Sequence, residues 1–118
     1  MSSEPISFYG GVDPRTGIIV EKNHPLYGKS IKNKIIIFPY GKGSTVGSYI
    51  ILQLKENKVA PIGIVNIKSE PIIVIGCILA NIPLMDSVNR NLLNNIKSGY
   101  TGMLEVTKNK ARLTIYDK

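Results

Sequence analysis

The 118-residue sequence has one cysteine, one histidine and no tryptophan, and each scarcity closes off a chemistry. The lone thiol, Cys77, sits inside an apolar run; it can form neither an internal disulfide nor, by itself, a metal site, which fits a reducing compartment. The lone histidine, His24, stands between Asn23 and Pro25 in a polar loop. With no local carboxylate to orient it, it reads as an exposed loop residue, and no Ser–His–Asp arrangement is credible. Paired carboxylates near the glycine-rich centre of the chain are also missing. No apolar stretch reaches the ~18 residues of a membrane-spanning helix. The opening Met1-Ser2-Ser3-Glu4-Pro5 lacks the basic-then-apolar pattern of a signal peptide. These absences give the expectation of a cytoplasmic protein with no membrane partner. There is no arginine-rich run, and aromatic residues do not alternate with basic ones as a base-stacking platform requires, so no nucleic-acid partner is expected. Without repeats or low-complexity linkers, residues 1–118 read as one domain, long enough to bury a core without disulfides.

What is present centres on one stretch, Ile35-Ile36-Ile37-Phe38-Pro39-Tyr40-Gly41-Lys42-Gly43-Ser44-Thr45. An unbroken β-branched run predicts a strand buried on both faces. It stops at a proline, passes through a glycine-rich turn and meets a segment, 45–57, with Val46, Tyr49, Ile50 and Leu54 at helical spacing. Ser44 is placed to cap that helix, and Lys55 stands in its last turn. Strand, turn and helix start together offer backbone N–H groups to an anion. The chain carries a net charge of +7, with Lys29, Lys32, Lys34, Lys42, Lys55 and Lys58 crowded around this stretch. That cluster is either an attractor of acidic ligands or partners, or a solvated surface.

The flanking segments supply the rest of an α/β pattern. Ile6-Ser7-Phe8-Tyr9 reads as a short strand, followed by a tight loop, Gly10-Gly11-Val12-Asp13-Pro14. That loop is either a structural turn or the lining of a site that glycines let a ligand approach. Ile62–Ile67 predicts a second buried strand joined to the first by a parallel crossover. Ser69-Glu70-Pro71 is a helix-start signal with Asn81 as the stop, although Ile72–Ile75 has strand composition. Pro83–Met85 reads as a third short strand, Asn89–Ile96 as a short helix or turn, and 101–107 with 111–116 as a hairpin.

Ser44 is the one candidate for chemistry at the turn. Gly41-Lys42-Gly43-Ser44-Thr45 looks like a phosphate loop but is not one, because Lys42 is followed by Gly43 and position 36 is isoleucine; ATP binding is not expected. Two readings stay open. Ser44 is a plain N-cap, or backbone dipoles and the neighbouring Lys42 make its hydroxyl basic enough to take a proton from a carbon next to a carboxylate.

The turn, taken with Gly10-Gly11-Val12-Asp13-Pro14, Ala60-Pro61, Glu70-Pro71-Ile72 and Ile82-Pro83-Leu84-Met85-Asp86, resembles the small subunit of the archaeal aconitase X family, from Ser7 to about Tyr116. The resemblance implies an α/β swivelling β/β/α domain, with a mixed sheet or barrel and two main helices. It implies a hydro-lyase subunit, active only in a heterodimer with a large subunit that carries an iron–sulfur (4Fe–4S) cluster; no metal or cofactor is implied in this chain. Within the family the likeness is to the branch that dehydrates a small phosphorylated hydroxy acid, (R)-5-phosphomevalonate, to trans-anhydromevalonate 5-phosphate in archaeal isoprenoid biosynthesis. Ser44 matches the family's catalytic proton acceptor. Gly43 and Thr45 flank it and, with Lys42, border the substrate; Gly11 and Asp13 are expected on the same cleft. Relatives that act on other hydroxy acids such as a hydroxyproline, and a non-catalytic anion-binding module, are the competing readings. Family members usually carry a further strand before the segment that opens here at Ser2, so either a start codon was placed late or the strand is absent, and an absent strand would leave an apolar edge for a partner or a second copy to cover.

Overall fold

The computed structural model describes residues 2, 4–43, 45–86, 101–106 and 111–116, the last two ranges as backbone apart from Leu113. Ser44, the predicted turn at 89–96 and the hairpin's connecting residues therefore lie outside the described residues.

Three parallel strands form the centre: β2 (Ile35–Phe38), β4 (Gly63–Asn66) and β5 (Leu84–Met85), in the order β2-β4-β5. Two helices join them, α2 (Gly47–Glu56) between β2 and β4, and α3 (Pro71–Ala80) between β4 and β5. A short parallel pair, β1 (Ile6–Ser7) with β3 (Gly41–Lys42), ties the N-terminal segment to the glycine-rich turn. The hairpin β6 (Thr101–Val106) and β7 (Ala111–Tyr116) is antiparallel. β6 lies beside β2 and β7 beside β5, so the hairpin sits near both edges of the parallel sheet. The α/β architecture and two main helices expected from the sequence are present, with the parallel and antiparallel strands in separate sheets rather than one mixed sheet.

The core joins the sheet to both helices. Ile36, Phe38 and Ile64 from the strands pack with Ile51 and Leu54 of α2, with Ile73 and Cys77 of α3, and with Ile6, Phe8 and Ile19 from the N-terminal segment. Gly76 makes the helix pair possible: a Cβ there would come within 2.6 Å of Ile51 Cδ1. α3 follows its sequence signals, with Pro71 at the first position, where its missing N–H costs nothing, and Asn81 closing the helix in the left-handed region.

Four expectations are corrected. α2 begins at Gly47 with Val46 as its N-cap, and Thr45 O accepts both Ser48 N–H and Ser48 Oγ–H, so the helix starts later than the 45–57 segment read from the sequence. Its buried face is Gly47, Ser48, Ile50, Ile51 and Leu54, whereas Val46 and Tyr49 are exposed, Tyr49 at 60%. The strand predicted over residues 6–9 ends at Ser7. Phe8–Gly11 forms a single distorted turn (α1), with Ser7 Oγ donating to Tyr9 O and Gly10 at φ +86°. His24 is buried, 7% exposed, not a surface residue. Its Nδ1 accepts Leu26 N–H at 3.0 Å, which leaves Nε2 to donate to Pro5 O at 3.1 Å. It is a structural clamp between the 20s loop and the chain start.

Candidate functional site

Parallel sheets place ligands beyond the carboxyl ends of their strands. A cleft of about 320 Å³ opens there, lined by Tyr40, Gly41, Lys42, Gly43 and Thr45 on one side and Glu70, Pro71 and Ile72 on the other. The first wall continues from β2 and the second from β4. Behind each wall a helix begins, α2 after Thr45 and α3 at Pro71.

Gly43 sets the shape of the first wall. Its φ is +95°, in the region that glycine enters without strain, and a Cβ there would sit 2.7 Å from Ser7 Oγ. The pairing of Ser7 with Lys42 in the β1–β3 ladder brings these atoms together. Lys42 reaches Glu21, Nζ to Oε2 at 3.4 Å, with its side chain 45% exposed. A pair this exposed contributes at most ~1 kcal/mol to stability, and Glu21 offsets part of the positive charge that Lys42 brings to the cleft. The backbone N–H groups are less available than the sequence suggested. Those of Ser48, Tyr49 and Ile50 are taken by Thr45 and Val46 carbonyls, and α3 starts with a proline that has none.

The structure therefore brings Lys42, Gly43 and Thr45 together on one wall and leaves Gly11 and Asp13 off it. Gly11 stands against Glu21, since a Cβ there would lie 3.0 Å from Glu21 Oε1; it flanks the Lys42–Glu21 pair and is absent from the lining residues. Asp13 closes its own turn. Its Oδ1 accepts Arg15 N–H at 2.9 Å, its carbonyl accepts Gly17 N–H at 2.8 Å, and the Arg15 N–H bond, helped by the Arg15 charge, holds its carboxyl below the usual range. Tyr40 and Glu70 line the cleft without having been singled out as site residues. The available signal was positional: each stands just past a buried strand, where a parallel sheet builds its sites.

Among the described residues no group of three or more His, Cys, Asp or Glu side chains could hold a metal. Cys77 is buried, and desolvation pushes its thiol up to about 12, so it is a core residue rather than a thiolate ligand. No helix among the described residues is long and apolar enough to cross a membrane.

The family model of the aconitase X swivel domain matches residues 1–115. The chain belongs to the aconitase X swivel-domain family. Among its relatives, the phosphomevalonate dehydratase small subunit of Methanosarcina mazei is 54% identical over 86% of this chain and 70% of its own length. The protein of the same name from Methanocella arvoryzae is 51% identical over 91% of this chain and 81% of its own. The crystal structure of Thermococcus kodakaraensis aconitase X in its holo-form superimposes with a TM-score of 0.88 at 40% identity, covering 98% of this chain and 85% of that one. The swivel fold and the dehydratase kinship of this aconitase X chain are thus established together. The name of these relatives as small subunits implies a larger partner.

Proposed function

We propose that this chain is the small subunit of a two-chain hydro-lyase that removes water from (R)-5-phosphomevalonate to give trans-anhydromevalonate 5-phosphate, a step of archaeal isoprenoid biosynthesis. The observation that carries the reading is the 54% identity, over most of both chains, to a phosphomevalonate dehydratase small subunit. The open cleft at the strand ends supports it, because a lone small subunit needs a face that a partner can close over.

In this reading Ser44, between the two cleft-lining residues Gly43 and Thr45, takes the proton from the carbon next to the substrate carboxylate. The hydroxyl leaves from the neighbouring carbon, a double bond forms between the two carbons, and the departing group ends as water. Lys42 supplies positive charge beside the serine, tempered by Glu21. Thr45 and the φ-positive Gly43 hold the turn in shape, while Gly11 supports it from behind through Glu21. Asp13 is more remote in this scheme: it fixes the loop that carries Gly11. An iron–sulfur cluster carried by the large subunit would supply the Lewis acid for the leaving hydroxyl. The small chain contributes the base and the two-walled cleft, which the large subunit closes over.

Co-expression with the large subunit tests this directly. The purified complex should be coloured by its cluster and turn over 5-phosphomevalonate, and the small chain alone should not. A complex that dehydrates a hydroxyproline and leaves 5-phosphomevalonate untouched would contradict the substrate assignment. A complex that binds the phosphorylated acid without turnover would contradict the enzymatic one.

A further inference from the structure

Asn66 is the last residue of β4 and wholly buried, at 0% exposure. A buried amide must find partners for both of its ends. Its Nδ2 donates to Phe38 O at 3.0 Å and to Val65 O at 3.2 Å, and its Oδ1 accepts Ser69 Oγ–H at 3.0 Å. The neighbouring backbone continues the stitching, with Ile67 N–H and Lys68 N–H both donating to Pro39 O, at 3.0 and 3.1 Å. Ser69 N–H in turn donates to Asp86 Oδ1 at 2.7 Å, just past β5.

These bonds meet at the root of the cleft. Phe38 and Pro39 are the two residues before Tyr40, where the first wall starts. Ser69 is the residue before Glu70, where the second wall starts. Through one amide, the carbonyl behind the first wall and the hydroxyl behind the second are held together. We propose that Asn66 is a positioning residue that fixes the spacing of the two cleft walls, and so the placing of Lys42, Gly43 and Thr45 relative to Glu70. An amide is required because it donates and accepts at once. Aspartate in its place would set a carboxylate oxygen against Phe38 O, and leucine would leave Phe38 O and Ser69 Oγ without this partner. The effect on turnover rests on the dehydratase reading above; the effect on wall geometry does not.

Two measurements separate the inference from that reading. The first is amide exchange in the isolated chain carrying Asn66→Asp or Ser69→Ala. Exchange should speed up at residues 40–43, 45, 70 and 72 while the amide of Ile64, which donates to Pro83 O at 2.9 Å within the sheet, keeps its protection. Unchanged exchange at both walls would overturn the inference, whatever the enzyme's substrate. The second is kinetics of the complex. Ser69→Ala should lower kcat by about tenfold with a smaller change in KM, as expected when reacting groups are misplaced by a fraction of an ångström. Ser69→Thr, which keeps the hydroxyl, should recover most of that loss. A Ser69→Ala complex with wild-type kcat would overturn the positioning role. If Asn66→Asp fails to fold, Ser69→Ala, on the part-buried side of the bond, carries both measurements.

Discussion

At the scale of single residues, the cleft depends on atoms that are missing. Gly43→Ala would add a Cβ into Ser7 Oγ and hold a side-chain residue at φ +95°. The expected loss of stability is about 1–3 kcal/mol, read from urea unfolding. Ser7→Ala in the same chain should return the part due to the collision and leave the part due to backbone strain, so an intermediate value for the double variant is expected. Cys77 gives a pH prediction. Its folded-state thiol lies at about 12 against 9.0 for the free group, so the folded chain holds this proton more tightly than the unfolded one. The contribution is complete below pH 9.0 and falls as pH rises from there toward 12. The native protein should not react with a thiol reagent at pH 8, should react at once when unfolded, and Cys77→Ala should flatten the alkaline loss. His24 shows what residue type hides: a histidine in an Asn-Pro loop looks solvated, and only the distant Pro5 carbonyl and the Leu26 amide make it a buried clamp.

At the scale of elements, the legible parts are those whose signals are local. β2 occupies Ile35–Phe38 and α3 occupies Pro71–Ala80, as the apolar run and the Pro71 and Asn81 signals required. The strand composition of Ile72–Ile75 yielded to those caps because a helix there buries Ile72, Ile73, Gly76 and Cys77 on one side. α2 was harder. Its period was visible, but which face turns inward is decided by Phe8 and Ile72 packing around Gly47, contacts made far along the chain. The same long-range packing makes a prediction for the helix pair. Gly76→Ala would gain about 1 kcal/mol of helix propensity in isolation. Here the added methyl meets Ile51 within 2.6 Å at Cδ1 and 3.1 Å at Cβ. Overpacking of about 1–3 kcal/mol should exceed the gain and lower the melting temperature. Ile51→Val, which removes Cδ1, should soften the loss.

At the scale of the whole molecule, the two ends of the sheet carry different chemistry. The cleft opens where β2 and β4 finish, and of the clustered lysines only Lys42 reaches it. Lys32 and Lys34 stand just before β2 begins, at the other end of the sheet, Lys29 lies in the loop paired with Ile19, and Lys55 and Lys58 line a separate hollow with Asn33, Pro61 and Ile62. The charge cluster read from the sequence is therefore spread over the molecule, because a parallel crossover returns the chain to the start of the sheet. At physiological salt, where the screening length is about 8 Å, neutralising Lys32 and Lys34 together should change the KM of the complex by less than about twofold, and Lys42→Ala by more. Steady-state assays at low and physiological salt check this. Site candidates close in sequence to the turn, Lys42, Gly43 and Thr45, came together on one wall. Gly11 and Asp13 did not, because α1 and the Asp13 turn direct them toward Glu21 and Arg15. Tyr40 and Glu70 became visible only when the strand ends were placed side by side.

One substitution bears on the central claim more directly than any other. Ser44→Ala, in the proposed complex with a large subunit, should still assemble and still bind the phosphorylated acid. Its kcat should fall by about a hundredfold or more, the scale of losing a positioned proton acceptor. A Ser44→Ala complex that turns over at the wild-type rate would place the base elsewhere and contradict the account.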